Sequence, residues 1–209
     1  MAAKRKAPAK KAVAKKAAAK KDETPRAFAD AKAWGAWLAM HHASSSGVWI
    51  QIARKGSGIA SVHYPEVLDV ALSYGWIDAI RRGFDDKTFL QRFTPRGLRS
   101  IWSKINRDKA LALIASGHMK PSGLVEVERA KKDGRWAAAY AGQKSATVPD
   151  DLAAVLAANP GAAAFFASLD SRNRYAILFR LHGAKKPETR ARRLATFVAM
   201  LAKGEKLYP

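Results

Sequence analysis

The chain has 209 residues, no cysteine and a net charge of +21, from 38 Lys+Arg against 17 Asp+Glu. Disulfides, thiolate metal sites and cysteine nucleophiles are therefore excluded, and the basic balance favours polyanions such as nucleic acid, anionic lipid or phosphorylated small molecules. No apolar run approaches the ~18 residues that cross a bilayer and the first residues lack the hydrophobic stretch of a signal peptide, so a cytoplasmic, bacterial-type setting is expected.

Residues 1–21 read as low-complexity Lys/Ala/Pro, with Lys4, Arg5, Lys6, Lys10, Lys11, Lys15, Lys16, Lys20 and Lys21 and no acid. Without aromatic residues, and almost without branched apolar ones, such a segment cannot offset its ordering entropy by burial, so a disordered tail is expected. It resembles the Lys-Ala-Pro tails of linker histones and some nucleoid proteins. Two readings follow: nonspecific DNA or RNA contact with nucleoid association, or a solubilising tail. Beyond it, 29 basic and 17 acidic residues remain, so the other 188 residues still carry +12. A body of that size buries roughly 70% of its unfolded surface, enough for its own core.

Phe28, Ala31, Trp34, Leu38 and His41 recur at helical spacing and predict a helix over 27–43. Val48 to Ala53 is β-branched and aromatic and predicts a strand. Arg54 to Gly58 is a basic, glycine-bearing turn without the spacing of a phosphate-binding loop. Ser61 to Tyr74 predicts a helix with Pro65 near its start and Gly75 as its C-cap. Trp76 to Phe84 and Thr88 to Phe93 predict two strands; alternation puts Trp76, Asp78 and Ile80 on one face. Asp78 sits across from Arg92 if the hairpin register allows it.

A helix over 104–116 is expected to turn Ile105, Ala110, Leu111 and Ile114 inward, with Ser103 as N-cap. Another spans 121–132, and a short segment opens at Arg135-Trp136. From Val148 onward the pattern is helical, broken at Asn159-Pro160, with further helices over 161–169, 171–182 and 187–203. The expected fold is α+β: a small, mostly antiparallel sheet packed with helices, then a C-terminal helical bundle. The expected division is a tail over 1–24, an α+β domain over 25–145 and a helical domain over 146–209.

The densest mixture of large aromatics and fixed charge lies between Gly75 and Asn106. Trp76, Asp78, Arg92, Arg96, Trp102, Lys104 and Asn106 are the candidate ligand- or partner-binding residues. A guanidinium oriented by Asp78 could clamp a carboxylate or phosphate. In a polyanion reading, Arg81, Arg82, Arg92, Arg96, Arg99 and Lys104 meet phosphates while Trp76 and Trp102 stack. On this basis Arg92→Ala or Arg96→Ala is expected to alter binding more than stability. No metal-ligand spacing joins His41, His42, His63, His118 and His182, and no Ser/His/Asp set, paired carboxylates or nucleotide loop stands out. A binding protein without cofactor or metal is therefore the leading expectation, and the alternative is an enzyme at Asp78, Arg92 and Arg96 with His63 or Tyr64 for proton transfer.

Gly75-Trp76-Ile77-Asp78, Thr94-Pro95-Arg96, Ser100 to Asn106, Gly134-Arg135-Trp136 and Ala184 to Arg190 together resemble the YdeI/OmpD-associated family, also called bacteriocin-protection proteins. The resemblance runs over roughly residues 27 to 205, and the stretch from Val148 resembles that family's C-terminal helical domain. It implies a stress-tolerance factor acting through a protein partner.

Overall fold

A computed structural model describes residues 24–209, so the expectations for the tail lysines and Arg5 lie outside the described residues. Four strands, β1 (Arg26–Ala27), β2 (Val48–Ala53), β3 (Trp76–Gly83) and β4 (Thr88–Pro95), form one sheet in the order β1-β2-β4-β3. The β2–β4 and β3–β4 pairs are antiparallel, and only the short β1 runs parallel to its neighbour β2. Eight helices complete the described chain: α1 (Ala31–His41), α2 (Tyr64–Ser73), α3 (Lys104–Ala115), α4 (Pro121–Lys132), α5 (Asp150–Ala157), α6 (Pro160–Ser168), α7 (Ser171–His182) and α8 (Pro187–Ala202). The architecture is α+β, with the helices of the C-terminal third following the sheet.

Local chemistry explains most element boundaries. Asp30 caps α1 by accepting the Ala33 N–H at 2.7 Å, which delays the helix to Ala31 and leaves Arg26–Ala27 free to pair as β1. Gly75 ends α2 with φ +76, and a Cβ there would meet Glu126 Cγ at 2.8 Å and the Ser122 carbonyl oxygen at 3.0 Å. Glycine thus supplies both the left-handed turn and the close approach of α4. Ser103 caps α3 through the Asn106 N–H at 3.1 Å.

Two apolar cores follow. In the first, Trp34 and Trp37 stack at 5.4 Å and both meet Trp76 edge-on, with Ile50, Leu72 and Phe93 completely or almost completely buried around them. The buried indoles of Trp34 and Trp76 donate to the Val67 and His42 carbonyls, at 3.1 and 3.2 Å. The second core joins Leu152, Phe166, Ile177, Leu181, Phe197 and Leu201 from α5 to α8. Segment 138–143 lies against α7: His182 Nε2 donates to the Ala138 carbonyl at 3.0 Å, Tyr175 Oη to Ala141 at 3.0 Å, and Gln143 Nε2 to Ser171 Oγ at 2.9 Å.

Two expectations about faces need correction. Ile105 and Leu111 do not turn inward; they are 56% and 47% exposed, and α3 buries Ala110 instead. The reason is rotation: the docked face of α3 is set by the Ser103 cap and by Lys104 N–H, which donates to the Tyr140 carbonyl at 2.8 Å.

Candidate functional site

The β3–β4 register decides which candidates can meet. Phe93, not Arg92, stands across from Asp78, and the ladder slips between Asp78 and Arg81 through a bulge-like irregularity. Arg92 instead faces Trp49 on β2, and its guanidinium carbon lies 5.6 Å from that ring. Arg82 covers the same indole at 4.6 Å. The candidates therefore separate into one group around Trp49 and another around Arg96, while Trp76 belongs to the aromatic core.

Arg96 is 5% exposed and lies over the Trp102 ring at 3.6 Å, with Nη1 donating to the Ile101 carbonyl at 3.2 Å. Its Nε and Nη2 are buried without hydrogen-bond partners. Burial draws its pKa down to about 10, against the opposing pull of Glu126, Asp78 and Tyr140. Among the described residues no ion pair joins Asp78 to either arginine. Asp78 accepts the Tyr64 hydroxyl at 2.9 Å. Burial first, and then Asp78, push the Tyr64 phenol well above its ordinary value. The Tyr140 phenol is raised by burial and Asp78 too, with Ser103 bonding in opposition. Trp76 and Trp102 are 1% and 2% exposed, so neither presents a face to an incoming base. Asn106 enters this region through its N–H to the Ser103 cap.

Lys104 differs from the other candidates by facing solvent. It opens onto a cleft of about 300 Å³ where α7 and α8 meet the segment around Tyr140. Tyr140, Tyr175, Phe179, His182 and Arg190 share the lining, which among the described residues contains no carboxylate. Arg190 is committed to Asp151 by two hydrogen bonds, with Nη2 to Oδ1 at 2.8 Å. Among the described residues, no acidic residue pairs with Lys104. Its position is fixed at the first turn of α3, next to the Ser103–Tyr140 bridge. Tyr140 thus links the cleft to the half-buried Asp78 and the buried Arg96.

The cleft brings in Tyr140, Tyr175, Phe179, His182 and Arg190, none of which belongs to the candidate set read from the sequence. One usable signal was present: Tyr175 and Phe179 stand one helical turn apart in a polar helix, so they share a face. The 138–143 segment carried no comparable sign, because its placement depends on backbone bonds to Trp102 and Lys104.

Residues 145–204 match the family model described as "Bacteriocin-protection, YdeI or OmpD-Associated". The chain carries a YdeI/OmpD-associated domain. Helices α5 to α8 and the second core fall within that match. Residues 26–126 match a separate model, described as a domain of unknown function (DUF8412). The motifs at Gly75–Asp78, Thr94–Arg96 and Ser100–Asn106 lie in this second region, whereas Ala184–Arg190 lies in the YdeI/OmpD-associated domain. Lys104 comes from the 26–126 region, and Tyr175, Phe179, His182 and Arg190 from the 145–204 region, so the cleft draws lining residues from both. No curated protein and no solved structure matches the chain. Among the described residues, no helix is long and apolar enough to cross a membrane.

Proposed function

We propose that the protein is a non-enzymatic binding protein that takes an anionic ligand in the cleft beside Lys104. The observation that carries this reading is the lining: basic side chains and tyrosine rings and, among the described residues, no acid paired with Lys104 and no carboxylate. A cleft of about 300 Å³ suits a small molecule. Lys104 supplies the charge, the Tyr140 and Tyr175 rings supply walls, and the bound Asp151 keeps Arg190 as a positioned edge rather than a free cation. The matched family's description gives the biological setting: a bacteriocin-protection or stress-tolerance role exercised by binding. A protein partner could then read the occupied state.

Calorimetric titration of the full chain with inorganic phosphate, pyrophosphate and a dicarboxylate tests the reading. At least one probe should bind, and Lys104→Ala should weaken it about tenfold, as expected for a hydrogen bond to a charged group. Heat that survives Lys104→Ala unchanged, or no heat from any probe, would remove the cleft as the site.

A further inference from the structure

The Lys104 cleft has a neighbour. A second cleft of about 470 Å³ lies on the other side of Tyr175 and Phe179, lined in addition by Gln143, Arg172, Arg180 and Tyr208. The two rings are therefore a shared wall, with centroids 5.9 Å apart and Phe179 36% exposed. Among the described residues, neither lining contains a carboxylate. Arg172 lies over the Tyr208 ring at 4.4 Å and Arg180 at 5.5 Å, and Arg180 Nη2 also donates to Tyr208 Oη at 3.3 Å. Stacking of this kind holds a guanidinium plane still and leaves the N–H edge of Arg172 available to an anion, while Arg180 also donates from Nη1 to the Ala176 carbonyl at 3.3 Å and keeps only part of its edge.

Cations on both sides of an exposed aromatic ridge are the elements that bind single-stranded nucleic acid: charge for the backbone and rings for the bases. We propose that the two clefts form one groove for a short single-stranded nucleic acid. A base lies against Phe179, one phosphate near Lys104 and another near Arg172 and Arg180. This rests on the anion reading of the Lys104 cleft and names its ligand class. A small anion occupies one cleft and leaves the other cations unused. Duplex bases are already stacked, so they cannot use the ridge. The net charge of +21 draws such a strand to the protein.

Fluorescence anisotropy of the full chain with a labelled ten-nucleotide single strand, the matching duplex and a mononucleotide, at two salt concentrations, tests this. The tail charges bind strand and duplex alike, so the informative readout is the difference between them. Phe179→Ala should weaken single-strand binding about tenfold and leave the duplex unchanged, while Phe179→Tyr retains it. Arg172→Ala should flatten the single-strand salt slope by about 0.7. Unchanged single-strand affinity in both Phe179→Ala and Arg172→Ala overturns the groove. A mononucleotide bound as tightly as the ten-nucleotide strand overturns the strand in favour of one nucleotide. If phosphate still binds through Lys104 while the strand does not, this inference fails and the anion reading stands; if neither binds, both fail.

Discussion

The guanidinium of Arg96 lies 3.6 Å from the centre of the Trp102 ring, and the two residues are 5% and 2% exposed. Such a desolvated contact is worth about 2 kcal/mol. It offsets part of the cost of Nε and Nη2, which lack partners and cost about 1–3 kcal/mol each on burial. The contact makes Arg96 a part of the framework, so the loss of its side chain is predicted to show in stability as well as in any binding.

Arg96→Ala is accordingly expected to lose about 2–4 kcal/mol, chiefly from the cavity left over Trp102. Arg96→Met keeps that volume and removes the unmet donors, so it should lose less than half as much. Urea unfolding of the two variants compares them directly. Equal destabilisation would mean that the charge, not the packing, holds Trp102.

A second prediction concerns the contact between α2 and α4. A Cβ at Gly123 would lie 2.3 Å from the Ser73 carbonyl oxygen and 2.5 Å from Met119 Sδ. The methionine can move, but the carbonyl is backbone at the end of α2. Gly123→Ala should therefore cost about 1–3 kcal/mol by overpacking, although alanine favours helix. A thermal melt showing unchanged or raised stability would mean that α4 slides freely on α2.

The elements were legible because their signals are local. The β-branched and aromatic run from Val48 to Ala53, Pro65 with Gly75 around α2, and the break at Asn159-Pro160 each act over a few residues. The outward faces of Ile105 and Leu111 were not legible, because the rotation of α3 is set by Tyr140, far along the chain. Asp78 and Arg92 missed each other because strand register is not local information: Phe93 pairs with Asp78, and Arg92 falls opposite the irregular step at Ala79–Ile80, which alternation alone does not reveal. Of the candidate residues, Lys104 alone lines the cleft; the others mark a dense charged and aromatic framework behind it.

The Tyr64–Asp78 hydrogen bond makes a prediction at alkaline pH. Burial and Asp78 raise the Tyr64 phenol, so the folded chain holds that proton after the unfolded chain has released it. Stability linked to Tyr64 is therefore complete below the ordinary tyrosine pKa of about 10 and declines as pH rises above it. Tyr64→Phe should lose about 1 kcal/mol at neutral pH through the missing bond and show a smaller alkaline decline. Parallel declines in both chains would assign the alkaline loss elsewhere.

The Asp151–Arg190 pair gives the opposite pH sign. Hydrogen bonds from Arg190 lead the causes that hold the Asp151 carboxyl below the usual carboxylate range. For a depressed acid, the stabilisation is present above its unfolded pKa of about 4 and is lost as pH falls through the lower folded value. The pair ties the first turn of α5 to α8. Its side chains are 37% and 29% exposed, so solvent screening limits its worth to about 1 kcal/mol. Asp151→Asn should thus lower the midpoint of urea unfolding slightly at pH 7 and remove part of the acid-side decline. It should also free Arg190 to swing in the cleft, which makes phosphate binding there tighter or unchanged. Weaker phosphate binding in Asp151→Asn would show that the fixed orientation of Arg190, and not its charge, serves the ligand.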